Sequence, residues 1–426
     1  MAKRIQPVYD GENAGEAFEK VNLAMARTNL SNTTNVLTCN RFGRWKTITT
    51  TEATTYQIVT EVEAHFDGIR IGLPNLHTAA VTGIKVSVAM MKDFVSGNWY
   101  SHPYPDGANW QPATWNGAAT ATLPARLDVE VPSVTYCDLM GHRSVPRTSG
   151  AVRPLVMVRV QVPAGTVLTV PFQEFYGWRT DGQPWRPMRV SKQAVLGVDT
   201  PANFTATATI DTLAPIPVIR YVSRSAGYQY MHCGDSTVEG LGHNTRDYGA
   251  VPMVANLLST PSSPVEYYNC GLHAQGPVTY GKMIPAYIDN VRPTHLFYSP
   301  YSINDVPAGG INSGGIQRLY HELSRVLEAA RATSKPCHLI LLEGLPCNPA
   351  FRNTGAGDKL RRDINADLHT YGGAVVPVGY AAAISGEVNA DGQTLIAAGL
   401  SNDNVHPNET GYQQLRNVLL PYLTDL

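Results

Sequence analysis

The stretch YQYMHCGDST, residues 228–237, is an apolar run that ends in a Gly-Asp-Ser-Thr tetrad. Such a run predicts a buried strand, and Gly and Asp directly after it predict a tight turn. The turn would hold the hydroxyl of Ser236 at the strand tip. Near the chain end, residues 403–406 read DNVH, just before a stretch with the apolar spacing of a helix.

These residue types are the ones that a serine esterase needs. A serine hydroxyl is a weak nucleophile at neutral pH, and an imidazole beside it can accept its proton. A carboxylate on the other ring nitrogen fixes the tautomer and direction of the imidazole. We therefore predict Ser236 as nucleophile, His406 as general base and Asp403 as the carboxylate that orients the base. The alternative for residues 403–406 is a loop that only precedes a helix, with Asn408 as the helix cap.

The other histidines near the predicted strand ends lack a carboxylate three residues before them. They are expected to be ordinary core or rim residues: His232, His243, His273 and His295.

The two halves of the chain differ in composition and in the pattern of apolar residues. A length of 426 residues also favours two domains. Residues from about 30 to 220 are rich in Thr, Val, Pro and Gly. Short strand-like runs there are bounded by turn residues, which is typical of an antiparallel sandwich. We predict an all-β, jelly-roll-like sandwich over 1–220 and interpret it as an accessory domain, with carbohydrate binding as its candidate role.

From Tyr228 onward, strand-like runs alternate with helical ones. This alternation predicts an α/β domain over residues 221–426, a parallel sheet covered by helices on both faces. The boundary is expected near residues 215–225.

Polar side chains follow several strands of the predicted sheet. Ligand sites of parallel α/β sheets lie at the carboxyl ends of the strands. Gly271 ends the second predicted strand, and Asn304 follows the third. An oxyanion hole needs N–H donors aimed at the developing charge. We predict the backbones of Ser236 and Gly271 and the side chain of Asn304 for this role.

At this point the chain resembles the SGNH (GDSL-type) hydrolases, over roughly residues 225–426. The resemblance implies a flavodoxin-like three-layer fold and a Ser/His/Asp hydrolase with a three-donor oxyanion hole. One position departs from the family pattern, because Ser302 stands where the third block usually has glycine. The residues that carry the match form four blocks: Gly234–Gly240, Gly271 after Asn269, Asn304-Asp305 and Asp403–Pro407.

Composition narrows the partners. A formal net charge of −1 gives no reason to expect a nucleic-acid partner or an anionic membrane surface. No run reaches the roughly 18 apolar residues of a membrane span, and the start of the chain does not read as a secretory signal. We expect a soluble protein that is cytoplasmic, exported by another route, or part of a particle. Six cysteines without a C-x-x-C pair argue against a zinc site, and no cofactor is expected.

All six tryptophans lie in the first half. Trp99, Trp110 and Trp115 fall in a segment rich in Pro, Gly and Asn, where they could stack on sugar rings or pack in the core. A sandwich joined to an esterase suggests a large substrate, so we expect removal of a short acyl group, acetyl in particular, from a carbohydrate through a covalent acyl-enzyme. The alternatives are a lipase or general carboxylesterase and, in another class, an inactive surface-binding or adhesion protein. The oligomeric state stays open.

Overall fold

The computed structural model describes residues 34–41, 44–92, 110–129, 131–172, 188–194, 197, 209–210, 214–243, 248–306, 313–333, 337–347, 355–371 and 375–424. Strands dominate the described residues up to position 210. They are β1 Thr34–Arg41, β2 Arg44–Thr49, β3 Thr54–Glu61, β4 Phe66–Asn75, β5 Val81–Met91, β6 Gln111–Pro112, β7 Ala121–Leu123, β8 Ser133–Tyr136, β9 Leu155–Val162, β10 Val167–Phe172, β11 Met188–Ala194 and β12 Thr209–Ile210.

The second part of the chain alternates strands with helices. Its elements are β13 Val218–Gly234, α1 Ala250–Leu258, β14 Val265–Gly271, α2 Pro277–Tyr280, α3 Met283–Val291, β15 His295–Tyr298, a 3-10 helix Ile303–Asp305, α4 Ser313–Ala332, β16 His338–Leu342, α5 Gly355–Leu368, β17 Val375–Val378, a 3-10 helix Ala381–Ile384, β18 Ser385–Val388, β19 Thr394–Ile396 and α6 Glu409–Thr424.

An antiparallel sheet occupies most of the first half. Its described strands lie in the order β12-β11-β3-β9-β5-β6, with β7 also on β5. Strand β9 shows why these residues form a sheet. Its β-branched Val156, Val158 and Val160 alternate along the strand and join one buried core, whereas Met157 points to the opposite face.

The face that carries these valines shares its core with a second sheet. Phe66 and Ile71 of β4, Leu37 of β1 and Tyr221 of β13 belong to the same buried cluster. The second sheet is mixed and continues into the α/β part of the chain. The jelly-roll-like sandwich over residues 1–220 therefore stays a prediction, because one of the two facing sheets is shared between the halves.

The α/β part has the three layers that the alternation predicts. Its strands run parallel in the order β14-β13-β15-β16-β17. Along β13, Met231 packs in the cluster that contains residues of α3 and α4, and Tyr230 packs with residues of α1 and α6. Alternate side chains of the strand thus face opposite helical layers, as the pleat requires.

Strand β13 belongs to both halves. Its first part pairs antiparallel with β1 and β4, where Ile219 lies opposite Cys39 and Ile71. Its second part pairs parallel with β14 and β15. The predicted boundary at residue 220 falls inside this strand. The change in sequence pattern therefore marks the point where β13 changes its partner strands, and no linker lies there.

Buried histidines in the α/β sheet predict a pH-dependent stability. Burial, reinforced by the neighbouring His338, lowers the pKa of His295 to about 3. Burial lowers the pKa of His232 to about 3 as well. Between pH 6.5 and 3 the unfolded chain takes up protons that the folded chain refuses. The free energy of unfolding should therefore fall as pH falls, by up to about 1.4 kcal/mol per pH unit for each histidine.

Urea unfolding of the wild type and of His295→Gln at pH 7.5, 5.5 and 4.5 measures this effect. We expect a shallower pH dependence in the variant. The exposed His321, changed to Gln, serves as the control and should keep the wild-type slope. Equal slopes for all three proteins would contradict the assignment.

Candidate active site

The turn after β13 presents Ser236. It is closed by hydrogen bonds from Val238 N to Asp235 O at 3.1 Å and from Leu241 N to Ser236 O at 2.9 Å. A Cβ on Gly234 would lie 2.3 Å from Val238 Cγ2, so only glycine lets the chain reverse this tightly. The nucleophile predicted from the sequence therefore stands at the carboxyl end of the central strand.

The structure brings Ser236, His406 and Asp403 together. Ser236 Oγ lies 2.8 Å from His406 Nε2. His406 Nδ1 lies 2.7 Å from Asp403 Oδ2. Both distances are those of hydrogen bonds, and the order hydroxyl–imidazole–carboxylate is the one that activates a serine.

The loop that carries Asp403 is fixed by its own carboxylate. Asp403 Oδ1 accepts the N–H groups of Val405 at 2.9 Å and His406 at 2.8 Å. Burial alone would raise the pKa of Asp403, but these bonds and the His406 imidazole lower it to about 2. The carboxylate is thus ionised at neutral pH. Asn408 Oδ1 accepts Gly411 N at 3.0 Å, so the loop also caps α6.

A cavity of about 110 Å³ opens at Ser236 and His406. It lies at the carboxyl ends of the parallel strands, where such sheets place their ligands. The segments after β13, β14, β15, β16 and β17 all contribute to its wall, through residues such as Thr237, His273, Asn304, Leu345 and Tyr380.

Asn304 lines this cavity from the 3-10 helix Ile303–Asp305. Its Nδ2 donates to Gln275 O at 3.0 Å, which leaves the second N–H of the amide for a ligand. Asp305 beside it has a structural role, because its Oδ2 accepts Val278 N at 2.9 Å near the start of α2.

Gly271 is not placed as the sequence predicts. Its N–H donates to Asn269 Oδ1 at 2.7 Å, and the residue does not line the cavity. Glycine is needed there for packing, because a Cβ would lie 2.7 Å from Glu239 N. The donor that we assigned to this backbone is therefore already used within the protein.

Ala274, three residues later, lines the cavity instead. Its φ of +60° is a left-handed conformation that side-chain-bearing residues rarely adopt. Within the described part of the chain, neither the Ala274 N–H nor the Ser236 N–H donates to a protein acceptor. Both donors are available to a ligand. No sequence signal pointed to Ala274, because alanine does not mark a left-handed turn.

No family model matches the sequence, and no curated protein matches it. Solved structures do match, among them a family 3 carbohydrate esterase from Clostridium thermocellum, at 17% identity over 47% of this chain and 96% of that one, with a TM-score of 0.34. The chain resembles GDSL-type (SGNH) acylhydrolases and esterases.

Two further matches of this kind have similar extents. A GDSL-like lipase from Bacteroides thetaiotaomicron is 18% identical over 46% of this chain and 87% of that one, with a TM-score of 0.35. A lipase/acylhydrolase from Enterococcus faecalis is 13% identical over 46% of this chain and 95% of that one, with a TM-score of 0.33. These likenesses cover about half of this chain.

The departure from the GDSL-type pattern at Ser302 has a structural explanation. Ser302 Oγ donates to Asp235 Oδ2 at 2.6 Å and accepts Asn304 N at 3.2 Å. Asp235 Oδ1 in turn accepts Thr237 N at 2.9 Å. The serine thus connects the nucleophile turn to the loop of Asn304, and Asp235 organises the turn as we expected.

Ser302→Gly should therefore weaken both loops. A hydrogen bond to a charged group contributes about 1.5–3 kcal/mol to stability, and a displaced donor in the site costs roughly 10-fold or more in kcat. We expect a lower free energy of unfolding in urea and a lower kcat with little change in KM. Ser302→Thr keeps the hydroxyl and is the matched control. A glycine variant with wild-type kcat would show that Ser302 does not position Asn304.

The tryptophans proposed for sugar stacking lie in two environments. Trp115 is 7% exposed and belongs to the core of the first half, which leaves little of its ring for a ligand. Trp110 is partly buried and stacks on the Arg159 guanidinium at 4.1 Å. Trp99 lies outside the described residues. The burial favours the packing role that the sequence analysis kept open.

The remaining histidines near the site differ in what they contact. His232 is buried, lies 3.3 Å from the Tyr267 hydroxyl and stays neutral because burial lowers its pKa to about 3. His273 lines the cavity, and its Nδ1 lies 3.2 Å from Glu239 Oε2. No local sequence pattern predicts this pair, because the carboxylate comes from another segment of the chain.

The described ranges contain neither a cluster of metal ligands nor a membrane-spanning helix. No three His, Cys, Asp or Glu side chains come together there in a way that could hold a metal ion. None of the helices described above is both long enough and apolar enough to cross a membrane.

Proposed function

We propose that this chain is a serine hydrolase of carboxylic esters, which removes acetyl or similarly short acyl groups from a carbohydrate. The observation that carries the proposal is the hydrogen-bonded chain from Ser236 Oγ through the His406 imidazole to Asp403. Its two links measure 2.8 Å and 2.7 Å, and it opens on a cavity at the strand ends.

In the first half-reaction, Ser236 Oγ attacks the ester carbonyl and its proton passes to His406 Nε2. Asp403 stabilises the imidazolium that forms. The negative carbonyl oxygen would be bound by the N–H groups of Ser236 and Ala274 and by the Asn304 amide. The tetrahedral intermediate then expels the alcohol, which takes the proton from His406, and an acyl-Ser236 ester remains.

In the second half-reaction, water attacks the acyl-Ser236 ester. His406 accepts a proton from the water and returns it to Ser236 Oγ as the carboxylic acid leaves. The sum is ester plus water giving alcohol plus acid, and the protein is regenerated without an external reactant.

The size of the cavity supports a short acyl group. An apolar cavity of about 150 Å³ holds benzene, so one of about 110 Å³ suits a smaller group such as acetyl. The wall on the side of β16 and β17 is largely apolar, with Leu342, Leu345, Pro346 and Tyr380 among its residues. A methyl or ethyl group would be desolvated there, whereas a long chain would extend beyond this wall.

Rates on p-nitrophenyl esters from acetate to octanoate test this proposal. Forcing extra methylenes into a packed site costs about 1–3 kcal/mol, which corresponds to roughly 10- to 100-fold in kcat/KM. We expect kcat/KM to fall by this factor for esters longer than butyrate. The fall should be smaller in Leu345→Ala, because the shorter side chain enlarges the cavity. Equal rates on octanoate would favour a lipase, and no turnover of any ester would favour an inactive binding protein. Acetate release from a panel of acetylated glycans then identifies the carbohydrate.

A further inference from the structure

The cavity has two chemically different sides. In the sheet, β14 lies on one side of β13, and β15, β16 and β17 lie on the other. The β16 and β17 side carries the apolar wall. Glu343 is also on that side, but its carboxylate is held by Ala381 N at 2.8 Å and by His369 Nε2 at 2.7 Å. On the β14 side the wall includes His273, whose ring faces the cavity.

A buried carboxylate lies behind the His273 imidazole. The Glu239 side chain is 6% exposed, and its Oε2 lies 3.2 Å from His273 Nδ1. The two atoms lie within ion-pair distance but do not meet the geometry of a hydrogen bond. The nearby negative charge favours the tautomer with the proton on Nδ1, and Nε2 is then a hydrogen-bond acceptor. Among the described residues, none hydrogen-bonds to Nε2, and a third of the side chain is exposed, at 33%.

We propose that His273, with the Glu239 carboxylate behind it, binds a hydroxyl group on the alcohol part of the ester and so selects esters of polyols such as sugars. This inference rests on the proposed esterase function. Its next residue, Ala274, supplies one of the candidate donors for the carbonyl oxygen. A hydroxyl bound at His273 therefore lies close to the ester, while the apolar wall across the cavity takes the acyl group.

Two acetate esters of the same size separate this role from general hydrolysis. The esters 2-hydroxyethyl acetate and n-propyl acetate differ only by a hydroxyl in place of a methyl group. A site built to bind a hydroxyl discriminates strongly against the analogue that lacks it. We expect the wild type to prefer the hydroxylated ester by about 10-fold or more in kcat/KM.

His273→Ala should bring this ratio toward one, and His273→Gln, whose amide oxygen accepts a hydrogen bond, should keep part of it. The exposed His321→Ala is the control and should retain the wild-type ratio. An unchanged ratio in His273→Ala, or no preference in the wild type, would overturn the inference and leave the esterase intact. If the wild type hydrolyses neither ester nor p-nitrophenyl acetate, the proposed function itself is wrong.

Discussion

Ser236→Ala should abolish ester hydrolysis while the protein still folds. Loss of the nucleophile in a serine hydrolase triad lowers kcat by about 10⁶-fold. The side chain is small and its lost bond to His406 contributes only about 1 kcal/mol to stability. We expect p-nitrophenyl acetate turnover at background and an unfolding midpoint close to that of the wild type.

A fluorophosphonate probe, which reacts with an activated serine, tests the same prediction by showing which serine is modified. It should attach to the peptide that contains Ser236 in the wild type and leave Ser236→Ala unlabelled. Ser324→Ala removes a serine on the exposed face of α4 and should behave as the wild type. Wild-type turnover in Ser236→Ala, or labelling of another serine, would rule out the mechanism.

Asp403→Asn should have the second largest effect. In serine hydrolases, the triad carboxylate contributes about 10⁴-fold to kcat. Asparagine can keep an oxygen for the N–H groups of Val405 and His406, so the loop would persist. Its NH₂ group would meet His406 Nδ1 as a donor, which selects the tautomer unable to accept the serine proton at Nε2. We expect a 10³- to 10⁴-fold loss in kcat with KM nearly unchanged.

The pH dependence of this loss follows from the lowered pKa of Asp403, about 2 against an ordinary 3.8. The charged carboxylate makes its interactions fully at any pH above its ordinary pKa. These interactions are lost only when the pH falls through the lowered pKa of Asp403 in the folded protein. The wild type should therefore keep a large advantage in kcat over the variant at every pH from 5 to 8. A variant as fast as the wild type at pH 5 would show that Asp403 is already protonated there and does not act as a fixed charge.

Local patterns were enough to predict that Ser236, His406 and Asp403 lie in one site. Ser236 follows an apolar run that can only end in a turn, and Asp403 and His406 are three residues apart in one loop. Ser236 and His406 come together because the parallel strands place their carboxyl ends at one edge of the sheet. The alternation of strands and helices in the sequence predicts this parallel sheet. Asn304 was predicted for the same reason, since it follows a neighbouring strand.

Other features depend on contacts that no local pattern encodes. The N–H of Gly271 is taken by Asn269, and the donor at the cavity comes from Ala274, whose left-handed backbone an alanine in the sequence does not predict. The pair of His273 and Glu239 joins segments that are distant in the chain. Burial of Trp115 is decided by strands that pack over it, so its Pro- and Gly-rich sequence context was misleading about exposure.

Because β13 is one continuous strand of both sheets, the two halves are not independent domains joined by a flexible linker. Removing residues 1–220 would strip Tyr221 of Phe66, whose ring centroid lies 5.5 Å from its own, and would leave the start of the strand without neighbours. We expect a single cooperative melting transition for the whole chain. A polymer bound by the first half would thus reach Ser236 in one fixed orientation.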